Sequence, residues 1–182
     1  MNYPPWPRVL ILPGLYDSGA SHWQSRWETL HPSFRRVAQR EWHSPDCDEW
    51  IATLDAAIQQ GGEPALLVAH SAACSLVAHW AARHHGPVLG ALLVSPADTE
   101  APSYPPEPTG FQPMPRQRLP FHSIMVASSN DPYVQLDRAR TFAANWGSQL
   151  VEIGARGHIN GESGLGDWPQ GLMLLRELAM VD

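Results

Sequence analysis

The stretch Ala65-Leu66-Leu67-Val68-Ala69-His70-Ser71-Ala72-Ala73-Cys74 decides how the rest of the chain is read. Residues 65–69 are apolar without interruption. The run stops at His70-Ser71 and gives way at once to residues 72–83, rich in Ala and free of Gly and Pro. The first segment suits a strand covered on both faces, the second a helix. A strand that turns directly into a helix delivers the turn residue to the carboxyl edge of a sheet. A serine there has an exposed hydroxyl beside a helix N-terminus, where developing negative charge is favoured. So sharp a turn presses the residues two before and two after the serine against neighbouring backbone, and both must be small. Glycine is the usual occupant; here Ala69 and Ala73 stand in those places. The plainer alternative is a serine that caps the helix beginning at Ala72.

The flanking sequence repeats the same alternation. Strands are expected at 8–12, 34–39, 65–69, 88–94, 121–127 and 148–153, the second being the weakest. Helices are expected at 21–30, with Ser21 as cap, and at 46–60, 72–83, 135–146 and 168–180. In the second helix Ile51, Leu54, Ala57 and Ile58 share one side, and Gly61-Gly62 ends it. Strands alternating with helices predict the α/β class: a parallel sheet, helices on both faces and right-handed crossovers. Residues 95–120 are different, rich in proline and without periodicity, and read as a surface excursion that either covers a pocket or simply connects. No repeat or internal boundary interrupts the chain, so residues 1–182 are expected to form one domain.

Composition excludes several classes of function. The chain has 182 residues, 43% hydrophobic and 16% charged, with a formal net charge of −6. That balance argues against nucleic acid or an anionic membrane as partner. No stretch approaches the roughly 20 apolar residues of a membrane span, and Met1 to Arg8 lack an apolar signal core, so a cytoplasmic location is expected. Cys47 and Cys74 have no metal-binding spacing and read as free thiols, Cys74 as a small packed residue. No cofactor or metal is expected. Arg35, Arg36 and Arg40 read as a solvated strand edge, and His84 and His85 as surface residues. His22, Trp23 and Trp27 share one helical face, which marks His22 as a packed, hydrogen-bonded histidine.

In open parallel sheets, sites form outside the carboxyl ends of the strands. Ser71, Asp131 and His158 follow the third, fifth and sixth expected strands. A serine hydroxyl needs a base to become a nucleophile. A histidine supplies one near neutral pH, and a buried carboxylate fixes its tautomer. The order Ser…Asp…His is the one found in α/β-hydrolases. Asp98 is the competing acid; it opens the proline-rich stretch beside Glu100 and reads as a solvated carboxylate.

The sequence resembles a family of compact serine hydrolases related to retinoblastoma-binding protein 9. The resemblance rests on Leu12-Pro13-Gly14 with His22-Trp23 downstream and on His70-Ser71. It rests most specifically on Ser128-Ser129-Asn130-Asp131-Pro132-Tyr133-Val134 and on Gly157-His158-Ile159-Asn160, followed by Ser163-Gly164 and Trp168-Pro169. It implies a small α/β-hydrolase with strand order 2-1-3-4-5-6, Ser71 as nucleophile, Asp131 as acid and His158 as base. The expected function is hydrolysis of small acyl esters through an acyl-enzyme, with the oxyanion held by the backbone N–H groups of Leu15 and Ala72. The competing class is a protein-binding module that keeps the fold with little or no catalysis, although nothing in the sequence indicates a protein partner.

Overall fold

Six strands form one sheet: β1 (Arg8–Leu12), β2 (Phe34–Arg36), β3 (Ala65–His70), β4 (Val88–Val94), β5 (His122–Ala127) and β6 (Gln149–Glu152). The computed structural model that shows them describes residues 3–181. The reading of Met1 and Asn2 as lacking a signal core lies outside the described residues. Every pairing is parallel and the order is β2-β1-β3-β4-β5-β6. The chain adds β2 on one side of β1 and every later strand on the other. The order therefore reverses between β1 and β3, where a crevice opens at the carboxyl ends.

The strands bury both faces because each alternates between two helix layers. Leu10, Leu12, Leu67, Leu93 and Met125 pack beneath α2 (Cys47–Gln60), α3 (Ala72–Arg83) and α4 (Leu136–Trp146). Val9, Ile11, Leu66, Val68, Leu92 and Ile124 face α1 (Trp23–Leu30) and α5 (Pro169–Ala179), which contribute Trp23, Trp27, Leu175 and Leu178. The two layers answer to the uninterrupted apolar runs of β3 and β4.

Three local expectations are corrected. The second strand ends at Arg36, not residue 39. At this sheet edge the Val37 N–H still donates to the Ile11 carbonyl, after which the chain leaves to meet α2 and the Gln39 side chain donates to the Trp50 carbonyl. The cap of α1 is His22, not Ser21: its Nδ1 accepts from the Gln24 N–H at 3.1 Å. Arg36 is no solvated edge residue. It is half-buried and bonds Asp17, Glu28, the Ser18 carbonyl and Ser25, tying the loop after β1 to α1 and β2.

Between β4 and β5 the chain has no regular element, only a bridge between Asp46 and Thr109. It is nonetheless anchored. Phe111 and Met114 are buried in the layer of α2, α3 and α4, each burial contributing about 1.5–3 kcal/mol. The Thr99 hydroxyl donates to the Phe111 carbonyl and the Trp146 indole to the Pro115 carbonyl.

Candidate active site

Ser71 sits between β3 and α3 with φ 58° and ψ −123°. A non-glycine residue held there stores on the order of 1–3 kcal/mol of strain. The neighbours hold it: the Ser71 N–H donates to the Val94 carbonyl and the Cys74 N–H to the Ser71 carbonyl, both at 3.0 Å. Ser71 makes no side-chain cap bond to α3, so its hydroxyl is free for another partner. Ala69 and Ala73 flank the turn and are fully buried. The tightest approach falls elsewhere, at Gly14. A Cβ on Gly14 would lie 2.9 Å from both the His70 carbonyl oxygen and the Ser71 Cβ. The glycine that this turn requires is thus supplied from the loop after β1, a residue the pattern around Ser71 could not reveal.

Asp131 and His158 lie on the loops after β5 and β6, adjacent strands of the sheet. His158 Nε2 is 2.8 Å from Ser71 Oγ, and His158 Nδ1 is 2.9 and 3.0 Å from the two Asp131 carboxylate oxygens. The Asp131 carboxylate also accepts the Tyr133 N–H at 2.9 Å and is shielded from solvent. The preceding residues brace the histidine loop. Asn130 Oδ1 accepts the Gly157 N–H, and Ser128 Oγ accepts the Arg156 N–H. On its far side the loop is fastened to α1, where the Trp23 indole donates to the Ile159 carbonyl and the Trp27 indole to the Asp167 carbonyl, each at 2.7 Å.

His70 holds the same loop from beneath. Its ring nitrogen Nε2 lies 2.9 Å from the His158 carbonyl, and its ring lies between those of His22 and His158, 4.6 and 4.7 Å away. Burial, reinforced by His158 and His22, holds His70 well below the usual histidine range, so it stays neutral and donates through Nε2. Burial also pushes the Cys47 thiol up to about 12 and raises that of Cys74. Both are protonated, and Cys74 is a packed residue beside the site. The sequence marks His70 only as the neighbour of Ser71; its role as a brace required the fold.

Gly14, next to Leu15 in the chain, lies against the start of α3: a Cβ on it would be 3.4 Å from the Ala72 nitrogen. Leu15 lines the pocket that opens on Ser71, and the Ala72 amide begins α3 directly after it. In the loop after β1 the Tyr16 N–H is taken by the Trp42 carbonyl and the Asp17 N–H faces the Gly14 carbonyl, whereas the Leu15 N–H has no acceptor among the described residues. The pocket has a volume of about 290 Å³ and is walled by Tyr16, Ala97, Tyr104 and Tyr133 as well as by the residues around Ser71. Asp98 is not the solvated carboxylate expected from its neighbours. It is buried and gripped by the Arg138 guanidinium through two bonds of 2.7 and 3.0 Å. It faces Arg138, whereas Asp131 faces His158. Among the described residues no group of three or more His, Cys, Asp or Glu side chains is arranged to hold a metal ion, and no helix is long and apolar enough to cross a membrane.

Comparison with known proteins places this geometry in a family. No curated protein matches the chain. Among solved structures, a YdeN-like hydrolase of Pectobacterium atrosepticum is 33% identical over 94% of this chain and 89% of its own, with a TM-score of 0.84. The ydeN product of Bacillus subtilis is 18% identical over 95% and 98%, with a TM-score of 0.75. A thermophilic esterase of Thermogutta terrifontis is 14% identical over 94% and 90%, with a TM-score of 0.67, a likeness of fold. The model of the family described as "Serine hydrolase" matches residues 9–177. The chain therefore belongs to the serine hydrolase family, as a small member of the α/β-hydrolase superfamily.

Proposed function

We propose that the enzyme hydrolyses short acyl esters through an acyl-enzyme, with Ser71 as nucleophile, His158 as base and Asp131 as the acid that orients it. The observation that carries this reading is the single imidazole bridging a serine hydroxyl at 2.8 Å and a buried carboxylate at 2.9 Å. The Asp131 carboxylate keeps the imidazole proton on Nδ1, so the Nε2 lone pair faces Ser71 Oγ and takes its proton as the oxygen attacks the ester carbonyl. The imidazolium so formed is stabilised by Asp131 and returns its proton to the leaving alcohol. The Leu15 and Ala72 N–H groups are the donors for the oxyanion; loss of one such donor costs about 10²–10³ in rate. Water then enters, His158 removes its proton, and the acyl group leaves as acid.

The pocket volume supports short acyl groups. The excursion between β4 and β5 has no helix whose apolar face could shelter a long chain. Turnover of ester, thioester and peptide substrates by the wild type and by Ser71→Ala tests the proposal. Ester turnover abolished by the substitution is expected. A folded wild-type protein that turns over none of the three would leave the fold serving binding alone.

A further inference from the structure

Five buried side-chain polar atoms lack a hydrogen-bond partner among the described residues: His22 Nε2, Ser75 Oγ, Ser95 Oγ, Tyr104 Oη and Trp168 Nε1. Buried polar groups are nearly always paired, so each of these asks for a partner. Two of the five, His22 and Tyr104, belong to residues lining the same pocket, the one that opens on Ser71. The reading of His22 as a packed, hydrogen-bonded histidine therefore accounts for one of its two ring nitrogens. Its Nδ1 is committed to the Gln24 N–H as the cap of α1, which places the ring proton on Nε2. That N–H is the group left over. His22 is 5% exposed, and Gly161 stands with it in the pocket wall.

The chemistry of the wall narrows the partner. Burial, with His158 and Arg36 nearby, lowers His22 to about 3, so the ring is a neutral donor and not a cation. Burial raises the Tyr104 phenol, which keeps its proton and can both donate and accept. No arginine lines the pocket and the chain contains no lysine, whereas Asp17 and Glu162 stand in its wall. An anionic substrate group would meet like charge there and no counter-ion.

We propose that this pocket selects short esters carrying a neutral oxygen function, a hydroxyl or carbonyl, which accepts from His22 Nε2–H and pairs with the Tyr104 hydroxyl. A plain aliphatic ester would leave both groups buried and unpaired, the situation in which polar sites discriminate most strongly. The proposal deepens the reading of Ser71 as an ester-hydrolysing nucleophile and rests on it.

The test compares kcat/KM within two matched pairs: p-nitrophenyl 3-hydroxybutyrate against the butyrate, and 2-hydroxyethyl butyrate against propyl butyrate. In the wild type at least one pair is expected to favour the hydroxylated ester by about tenfold or more. That ratio is expected to fall towards one in Tyr104→Phe, which removes a single hydroxyl. It should fall likewise in His22→Asn, whose side-chain oxygen can keep the helix cap. No preference in either pair, a ratio unchanged in either folded variant, or faster cleavage of p-nitrophenyl hemisuccinate than of the hydroxylated ester overturns the proposal. Should His22→Asn not fold, Tyr104→Phe decides. Binding to Ser71→Ala separates this question from catalysis. Calorimetry should find N-methyl-3-hydroxybutanamide or N-(2-hydroxyethyl)butanamide binding about tenfold more tightly than N-methylbutanamide or N-propylbutanamide, respectively, and equal affinities within both pairs overturn the proposal even if no ester is cleaved.

Discussion

Replacing Asp131 by Asn separates orientation of the base from packing around it. The carboxylate uses one oxygen for both the Tyr133 N–H and His158 Nδ1 at 2.9 Å, and its second oxygen lies 3.0 Å from the same Nδ1. An asparagine of the same shape keeps its oxygen on the Tyr133 N–H, which turns its NH2 towards His158. Nδ1 must then accept, the proton moves to Nε2, and the lone pair that should receive the Ser71 proton is gone. The equivalent change in another serine hydrolase fold costs about 10⁴ in turnover, or roughly 5 kcal/mol of barrier. The comparison is Asp98→Asn. There the loss is one charged contact to Arg138, whose guanidinium keeps Glu100 at 2.7 Å. About 1–2 kcal/mol of stability is expected to go, lowering Tm by roughly 2–8 °C, with turnover little changed. Steady-state hydrolysis of p-nitrophenyl acetate and thermal unfolding of both purified variants give the two readings. If Asp131→Asn kept more than a tenth of wild-type turnover, or Asp98→Asn lost orders of magnitude while folded, the assignment of the acid would be wrong.

Other outcomes are open to direct measurement. A fluorophosphonate probe should label the folded protein once, at Ser71, and His158→Ala should abolish rapid labelling; labelling that survives this change would remove His158 as base. Short acyl esters should turn over faster than long ones without activation at lipid interfaces, and a reversed order at equal solubility would contradict the small pocket. Gly14→Ala should cost about 1–3 kcal/mol of stability and slow turnover, because its Cβ meets backbone at the Ser71 turn; an unaffected enzyme would mean that the loop yields freely. Because His22 is held at about 3 when folded against an ordinary value near 6.5, the unfolded chain binds the extra proton between these values, and stability rises with pH across that window. By pH 5 the loss from His22 is about 2 kcal/mol, so the urea midpoint should fall between pH 7 and 5, and by less in His22→Asn.

The architecture is legible in the chain because the sheet is buried on both faces. Such a sheet demands continuous apolar runs like 65–69 and 88–94, and Ser71 and Asp131 each come after a run of this kind, whereas the strand before His158 is the half-exposed Gln149–Glu152. What escapes the sequence depends on neighbours distant in the chain. Gly14 is one of two glycines in an ordinary-looking loop, and only the fold brings it against Ser71. Asp98 looks solvated beside its prolines because Arg138, its partner, lies 40 residues away. Arg36 looks like part of a basic edge until Asp17 and Glu28 close around it. Helical spacing marks His22 as packed, but it accounts for neither the cap bond at one ring nitrogen nor the unpaired N–H at the other. The end of β2 is misplaced because an edge strand has only one neighbour to hold it.

The two indole bonds from α1 to the loop carrying His158 have a consequence for how activity arises in time. They join residues 136 and 140 positions apart in the chain, so His158 reaches Ser71 only after the last strand has docked and the loop that follows it has returned to the first helix. Contacts of such long range tend to form late, since the entropy of closing the intervening chain must be met before they contribute. In refolding, recovery of hydrolysis should therefore trail the return of secondary structure. A chain that has paired β1 to β5 and set Ser71 in its turn, but has not yet docked the loop after β6 on α1, holds His158 out of reach, which makes hydrolysis a report on complete folding.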